Sequence, residues 1–186
     1  VDVKERKQKT KMSIGDSIKT LASSAYIRNL ATLVTGYAMA INIVEVTWKA
    51  KLKQLYPDPA AYSAFMGNFS SSTGVVTFIM MLFGRYILNK FSWGVAASIP
   101  PLALLSSGIL FFGLVLAPGL LAPFTAALGV TPLLLAVLVG AAQNILSKST
   151  KYSLFDPCKE IAYIKMTDSE MRTKGKAAVD VIGGPL

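Results

Sequence analysis

Glu45 is the residue least easily placed by fold alone. It follows sixteen uncharged positions after Arg28, with Asn42 one helical turn before it and Lys49 one turn after. At 100° per residue the three side chains fall within about 60° of one another, on one helix face. A charge at the centre of a bilayer costs at least about 2.5 kcal/mol, so an acid there faces a watered path or a cation. A plainer reading also fits: Glu45 near the membrane interface, paired with Lys49 among the headgroups. A second constellation is Asn144, Ser147, Lys148 and Lys151, continued by Tyr152 and Phe155. Spacings of three and four put these polar residues on one stripe. Two lysines a turn apart, beside an amide and a hydroxyl, suit an anion bearing several phosphate oxygens. Here too a plain reading stands, lysines snorkelling from a helix end.

Other polar residues carry less. In Asp156-Pro157-Cys158-Lys159-Glu160 the spacing predicts a helix start, with Asp156 as N-cap and Pro157 at the first position. Cys158 reads as a small apolar side chain. Asn68, Ser70 and Thr73 suit either a pathway lining or close helix packing. Trp48 and Trp93, at span ends, read as interfacial anchors. There is no histidine and only one cysteine, which removes the usual ligands of zinc and haem and the usual proton carrier. No metal or cofactor is expected.

The elements that must position these residues are membrane helices. The 186 residues are 16% charged, against about one quarter in soluble domains, and the net charge is +9. Lys90 and Lys148 bracket 57 uncharged residues, and Asp58 and Arg85 bracket 26. About 20 apolar residues cross a bilayer. The composition excludes a soluble enzyme and a nucleic-acid-binding domain, because the bases lie in loops between apolar runs. The expected organisation is a basic linker and surface helix over 1–25 and four spans within 26–155. These run over about 26–48, 66–88, 95–117 and 132–152. An amphipathic connector over 156–175 follows, its helix started by a capping box at Thr167–Glu170, and a further span opens over 176–186. Pro100-Pro101 should kink the third span, and Pro118, Gly119, Pro123 and Gly129 mark a loop. Four spans place sixteen of the nineteen Lys and Arg on one side and Lys49, Lys51 and Lys53 on the other. That is the asymmetry of the positive-inside rule. With Val1 at its start and Gly183-Gly184-Pro185-Leu186 at its end, the sequence reads as an internal stretch of a longer chain.

Several segments resemble the ATP/ADP translocases of plastids and of obligate intracellular bacteria. They are GYAMAINIVEVTWKAKLK (36–53), YSAFMGNFSSSTG (62–74), WGVAA (93–97), TPLLLAVLVGAAQNILSKSTKYSLFDPCKEIAYI (131–164) and TKGKAAVDVIGGPL (173–186). The wording is closer to the plastid members, although Ile164-Lys165-Met166 and Gly183-Gly184 depart from them. The resemblance implies an all-α polytopic bundle similar to the major facilitator architecture, of which this stretch would open the second half. It implies exchange of ATP for ADP, with phosphate, across the plastid inner envelope or a bacterial inner membrane. It puts the acid that the family needs for transport on Glu45, with Asn42 and Lys49 beside it. Lys148, Lys151, Asn144, Lys159 and Lys174 become the candidates for binding nucleotide phosphates. ATP, ADP, phosphate and the lipid bilayer are the implied partners, and no nucleic acid. A nucleotide–proton symporter is the alternative within the family. Outside it, a membrane-embedded phosphate-transfer enzyme would also use buried acids and lysines.

Overall fold

A computed structural model describes residues 13–119, 122–166 and 169–183. All regular structure among them is helical: α1 (Ile14–Ser23), α2 (Ala25–Leu55), α3 (Pro59–Lys90), α4 (Trp93–Leu116), α5 (Ala122–Ala127), α6 (Pro132–Thr150), a π-helical turn (Lys151–Phe155), α7 (Asp156–Ile164) and α8 (Ser169–Gly183). Four stretches are long and apolar enough to cross a membrane: α2, α3, α4 and the continuous run Pro132–Ile164. The chain is therefore an all-α, polytopic membrane protein. Asp58 and Thr131 cap α3 and α6 by accepting from Ala61 N–H and Leu134 N–H, each followed by a proline whose missing N–H costs nothing there. Two of the spans are longer than the apolar runs suggest, α2 reaching Leu55 and α3 starting at Pro59. The expected loop over 118–129 contains the short helix α5, and two residues beyond its end Gly129 takes the left-handed region (φ 65°).

The chain forms two compact units, one holding residues up to Ala38 and from Ile161 onward, the other Met39–Glu160. In the first, Ile27, Leu30 and Ala31 of α2 pack with Ala162, Tyr163 and Val179. Tyr26 donates to the Ala162 carbonyl at 3.0 Å, and α1 packs on α8. Ser13 caps α1, accepting from Asp16 N–H. The capping box expected at Thr167–Glu170 lies outside the described residues and side chains.

In the second unit α6 is the central helix, packed against α3 and α4. Half of the most apolar window of Pro132–Ile164 is buried, against 6% for α3. Phe78, Phe83, Leu105 and Ile109 of α3 and α4 are exposed, an outer surface suited to lipid rather than water. Val44, Trp48, Leu52, Phe69, Phe111 and Val137 form the core. α4 runs unbroken through Pro100 and Pro101.

The run from α6 to α7 departs from expectation. Asp156 does not cap a new helix: its backbone is helical (φ −63°, ψ −45°) and its N–H reaches back five residues to the Lys151 carbonyl. The π turn has a local cause. Pro157 has no N–H to return to Ser153, four residues earlier, so regular α spacing would leave that carbonyl without its donor. The Ser153 carbonyl lies against Gly84 of α3, where an added methyl would sit 2.5 Å from the oxygen. Beside it, Thr77 and Ser149 share a hydrogen bond at 3.1 Å. Gly84 is thus fixed by contact with a backbone that cannot yield. Gly84→Ala should force α3 off the π turn and cost about 1–3 kcal/mol, as overpacking does. Gly74→Ala meets nothing within 4 Å and should be neutral or slightly stabilising. Thermal unfolding of the two variants in detergent checks this, and equal midpoints would refute the contact.

Candidate functional site

Glu45 is held by two lysines on two helices. Lys49, one turn on in α2, puts its ammonium 2.8 Å from Oε1, and Lys148 of α6 puts its own 3.1 Å from Oε2. Each carboxylate oxygen takes one cation. The Glu45 side chain is 19% exposed, Lys148 28% and Lys49 45%. The local pair with Lys49 is the one expected from spacing. The bridge to Lys148 joins helices 103 positions apart and turns Glu45 toward the bundle. Two ammoniums against one carboxylate leave the cluster with one positive charge in excess, within spans that are otherwise almost free of charge.

The approach of α2 to α6 that permits this bridge is set by Trp48 and Gly140. Trp48 is fully buried, not an interfacial anchor; its Nε1 donates to the Val137 carbonyl at 2.9 Å. The indole lies over Gly140 so closely that a methyl there would run into the Trp48 ring, and would come within 2.7 Å of Phe111. Phe69 of α3 packs on Trp48 with ring centroids 4.6 Å apart. Phe69 also meets Lys148, whose ammonium stands 5.6 Å from the ring centroid. Helices α2, α3 and α6 therefore meet at one ammonium group.

The remaining candidates are distributed. Asn144 is buried and donates to the Gly140 carbonyl of its own helix at 2.8 Å. Lys151 opens the π turn and stands over the ring of Tyr152, 5.3 Å from its centroid. Asn42 is half-buried one turn before Glu45. Lys159 faces Asp156 at 3.9 Å within α7. Lys174 is in the first unit, where with Asp16, Lys19, Thr20 and Thr173 it lines a cavity of about 490 Å³. Among the described residues no group of three or more His, Cys, Asp or Glu is placed to hold a metal.

Two site residues escaped the sequence reading. Phe69 sits in a run of small polar residues and was not singled out; only its position opposite Lys148 marks it. Gln143, next to the polar stripe, is buried, donates to Ser147 Oγ at 3.0 Å, and has a carbonyl oxygen with no partner among the described residues. The Glu45–Lys148 bridge should register as a coupling of about 1 kcal/mol, the size of a partly exposed pair and not of a fully buried one. A double-mutant cycle of Glu45→Gln and Lys148→Met, followed by thermal unfolding, measures it. Strict additivity would mean the bridge contributes nothing.

The profile of the TLC ATP/ADP transporter family matches residues 2–186. The chain is 60% identical to ADP,ATP carrier protein 1, chloroplastic, of Arabidopsis thaliana over 98% of its own length and 29% of that relative's. It is 52% identical to ADP,ATP carrier protein 1 of Chlamydia trachomatis, over 97% of its length and 34% of the relative's. With ADP,ATP carrier protein 1 of Rickettsia prowazekii the identity is 45%, over 99% and 37%. The chain thus spans about a third of the length of these carriers. No solved structure matches it. Matched by the family almost from end to end and 60% identical to one of its plastid relatives, the chain belongs to the TLC ATP/ADP transporter family.

Proposed function

We propose that this chain forms part of a membrane carrier that exchanges ATP for ADP, with phosphate, by alternating access. The observation that carries the reading is the three-charge cluster of Lys49, Glu45 and Lys148, with its single excess positive charge between spans. In the resting arrangement Glu45 neutralises Lys148 and makes its burial tolerable. An arriving polyphosphate offers several anionic oxygens in place of one carboxylate. Lys148 can pass from Glu45 to the phosphate, while Lys49 retains Glu45. Substrate and acid thus compete for one cation, and occupancy becomes coupled to the packing of α6 against α2. Lys151, on the adjoining π turn, is the nearest further base along the same helix.

Within this reading residues 26–155 are four spans of one transporter half, 156–175 a connector, and 176–186 the start of another span. Rocking of that half against its counterpart around a midplane site would supply alternating access. The names of the relatives support carriage rather than phosphate-transfer chemistry. The higher identity to the Arabidopsis chloroplastic carrier than to the bacterial ones supports a plastid inner envelope.

The test is uptake of labelled ATP by the complete carrier in sealed vesicles. Uptake should require ADP, or ADP with phosphate, inside. Glu45→Gln should lower exchange at least about tenfold, equivalent to about 1.4 kcal/mol, with insertion unchanged. Uptake into empty vesicles under a pH gradient would replace exchange by proton symport. Unimpaired exchange by Glu45→Gln would remove Glu45 from the mechanism.

A further inference from the structure

Lys148 has two neighbours of opposite kinds. One is the Glu45 carboxylate, which holds it by charge at 3.1 Å. The other is the face of Phe69, which is neutral. A ring face attracts a cation through its quadrupole, more strongly where water is scarce. Phe69 is only 7% exposed and the Lys148 side chain 28%, so the ring is held away from water while the ammonium keeps part of its hydration. Nor is the ring loosely placed. Trp48 braces it at 4.6 Å, and Trp48 is itself pinned by the Val137 carbonyl and by the absence of a side chain at Gly140.

This geometry bears on a difficulty in any mechanism that takes Lys148 from Glu45. Lysine ends a flexible four-carbon stem, and an ammonium released by its counter-ion has many rotamers open to it. A second carboxylate would hold it but would also repel the phosphate. An aromatic face holds the cation without adding negative charge, and leaves N–H donors for the phosphate oxygens. We infer that Phe69 is a positioning residue: its ring face is the seat that keeps the Lys148 ammonium at the site while Glu45 gives it up to the nucleotide phosphate. The inference rests on the reading of Lys148 as a phosphate ligand, and assigns to Phe69 a role beyond core packing.

Fluorination tests it, because each added fluorine drains the ring face of negative potential while nearly preserving its shape. Phe69 is replaced by mono-, di- and trifluorophenylalanine in the complete carrier, and ATP/ADP exchange is followed in sealed vesicles. KM for ATP should rise stepwise, about three- to tenfold over the series, with yield and thermal stability constant. Phe69→Tyr should stay near the parent and Phe69→Leu should resemble the trifluoro form. The gradient should vanish in a Lys148→Gln background. A flat KM series, with Lys148→Gln still impaired, overturns the role of Phe69 and leaves the phosphate-binding role of Lys148 standing. A gradient that persists without Lys148 also overturns it, since the ring would then act on something else. Normal exchange by Lys148→Gln brings down the site reading and this inference together.

Discussion

A carboxylate between membrane helices is tolerable only beside a cation, and the second unit is organised around meeting that condition for Glu45. Lys49 meets it locally at no cost in packing. Lys148 meets it from another helix, and so requires α2 and α6 to lie close together. That closeness is obtained where a large side chain and a missing one coincide: the Trp48 indole lies on Gly140, and its N–H is satisfied by the backbone beneath. In an apolar surrounding an unsatisfied indole N–H would be costly, so the contact is directional as well as close. The electrostatics thus depend on a steric fit.

The same economy shapes the rest of α6. A central helix in a membrane cannot rely on water to satisfy its polar side chains. Asn144 bonds the Gly140 carbonyl, Thr150 the Leu146 carbonyl, and Gln143 the Ser147 hydroxyl. These bonds lie within one helix and do not dictate which neighbours it has. Specific attachment to α3 comes instead from Thr77 with Ser149 and from the bare backbone contact at Gly84. The helix therefore combines internal satisfaction with a small set of directional links, to α2 through Lys148 and the Val137 carbonyl and to α3 through Ser149.

The spans were legible because long uncharged runs have one physical explanation. Lys49 beside Glu45 was legible because four residues make one turn. The polar stripe on α6 was visible for the same reason, but what it faces was not: pairing over 103 positions belongs to tertiary packing, which periodicity does not encode. Trp48 was misread because position near a span end favours an interface, while the small residue that would receive the indole lies 92 positions away. The reading of Asp156 failed for a subtler reason. Asp-Pro is a sound helix-start signal when the preceding chain is irregular, and here the preceding turn is helical with π spacing. Phe69 carried no signal of its own, since an aromatic among small residues looks the same whether it meets a lysine or a leucine.

The contact of Gly84 with the Ser153 carbonyl has a mechanical meaning as well as a steric one. With only hydrogen on the α3 side, the two backbones come into direct contact, and the Thr77–Ser149 hydrogen bond two turns earlier holds α3 against the same helical run at a second place. Phe69 lies fifteen residues away along α3, about 22 Å at 1.5 Å per residue. Because α3 is one unbroken helix from Pro59 to Lys90, the spacing set at Gly84 carries through to the Phe69 ring and its contact with the Lys148 ammonium. The glycine that admits the π turn thus also helps fix, about 22 Å away along one rigid element, where the aromatic neighbour of the charged cluster stands.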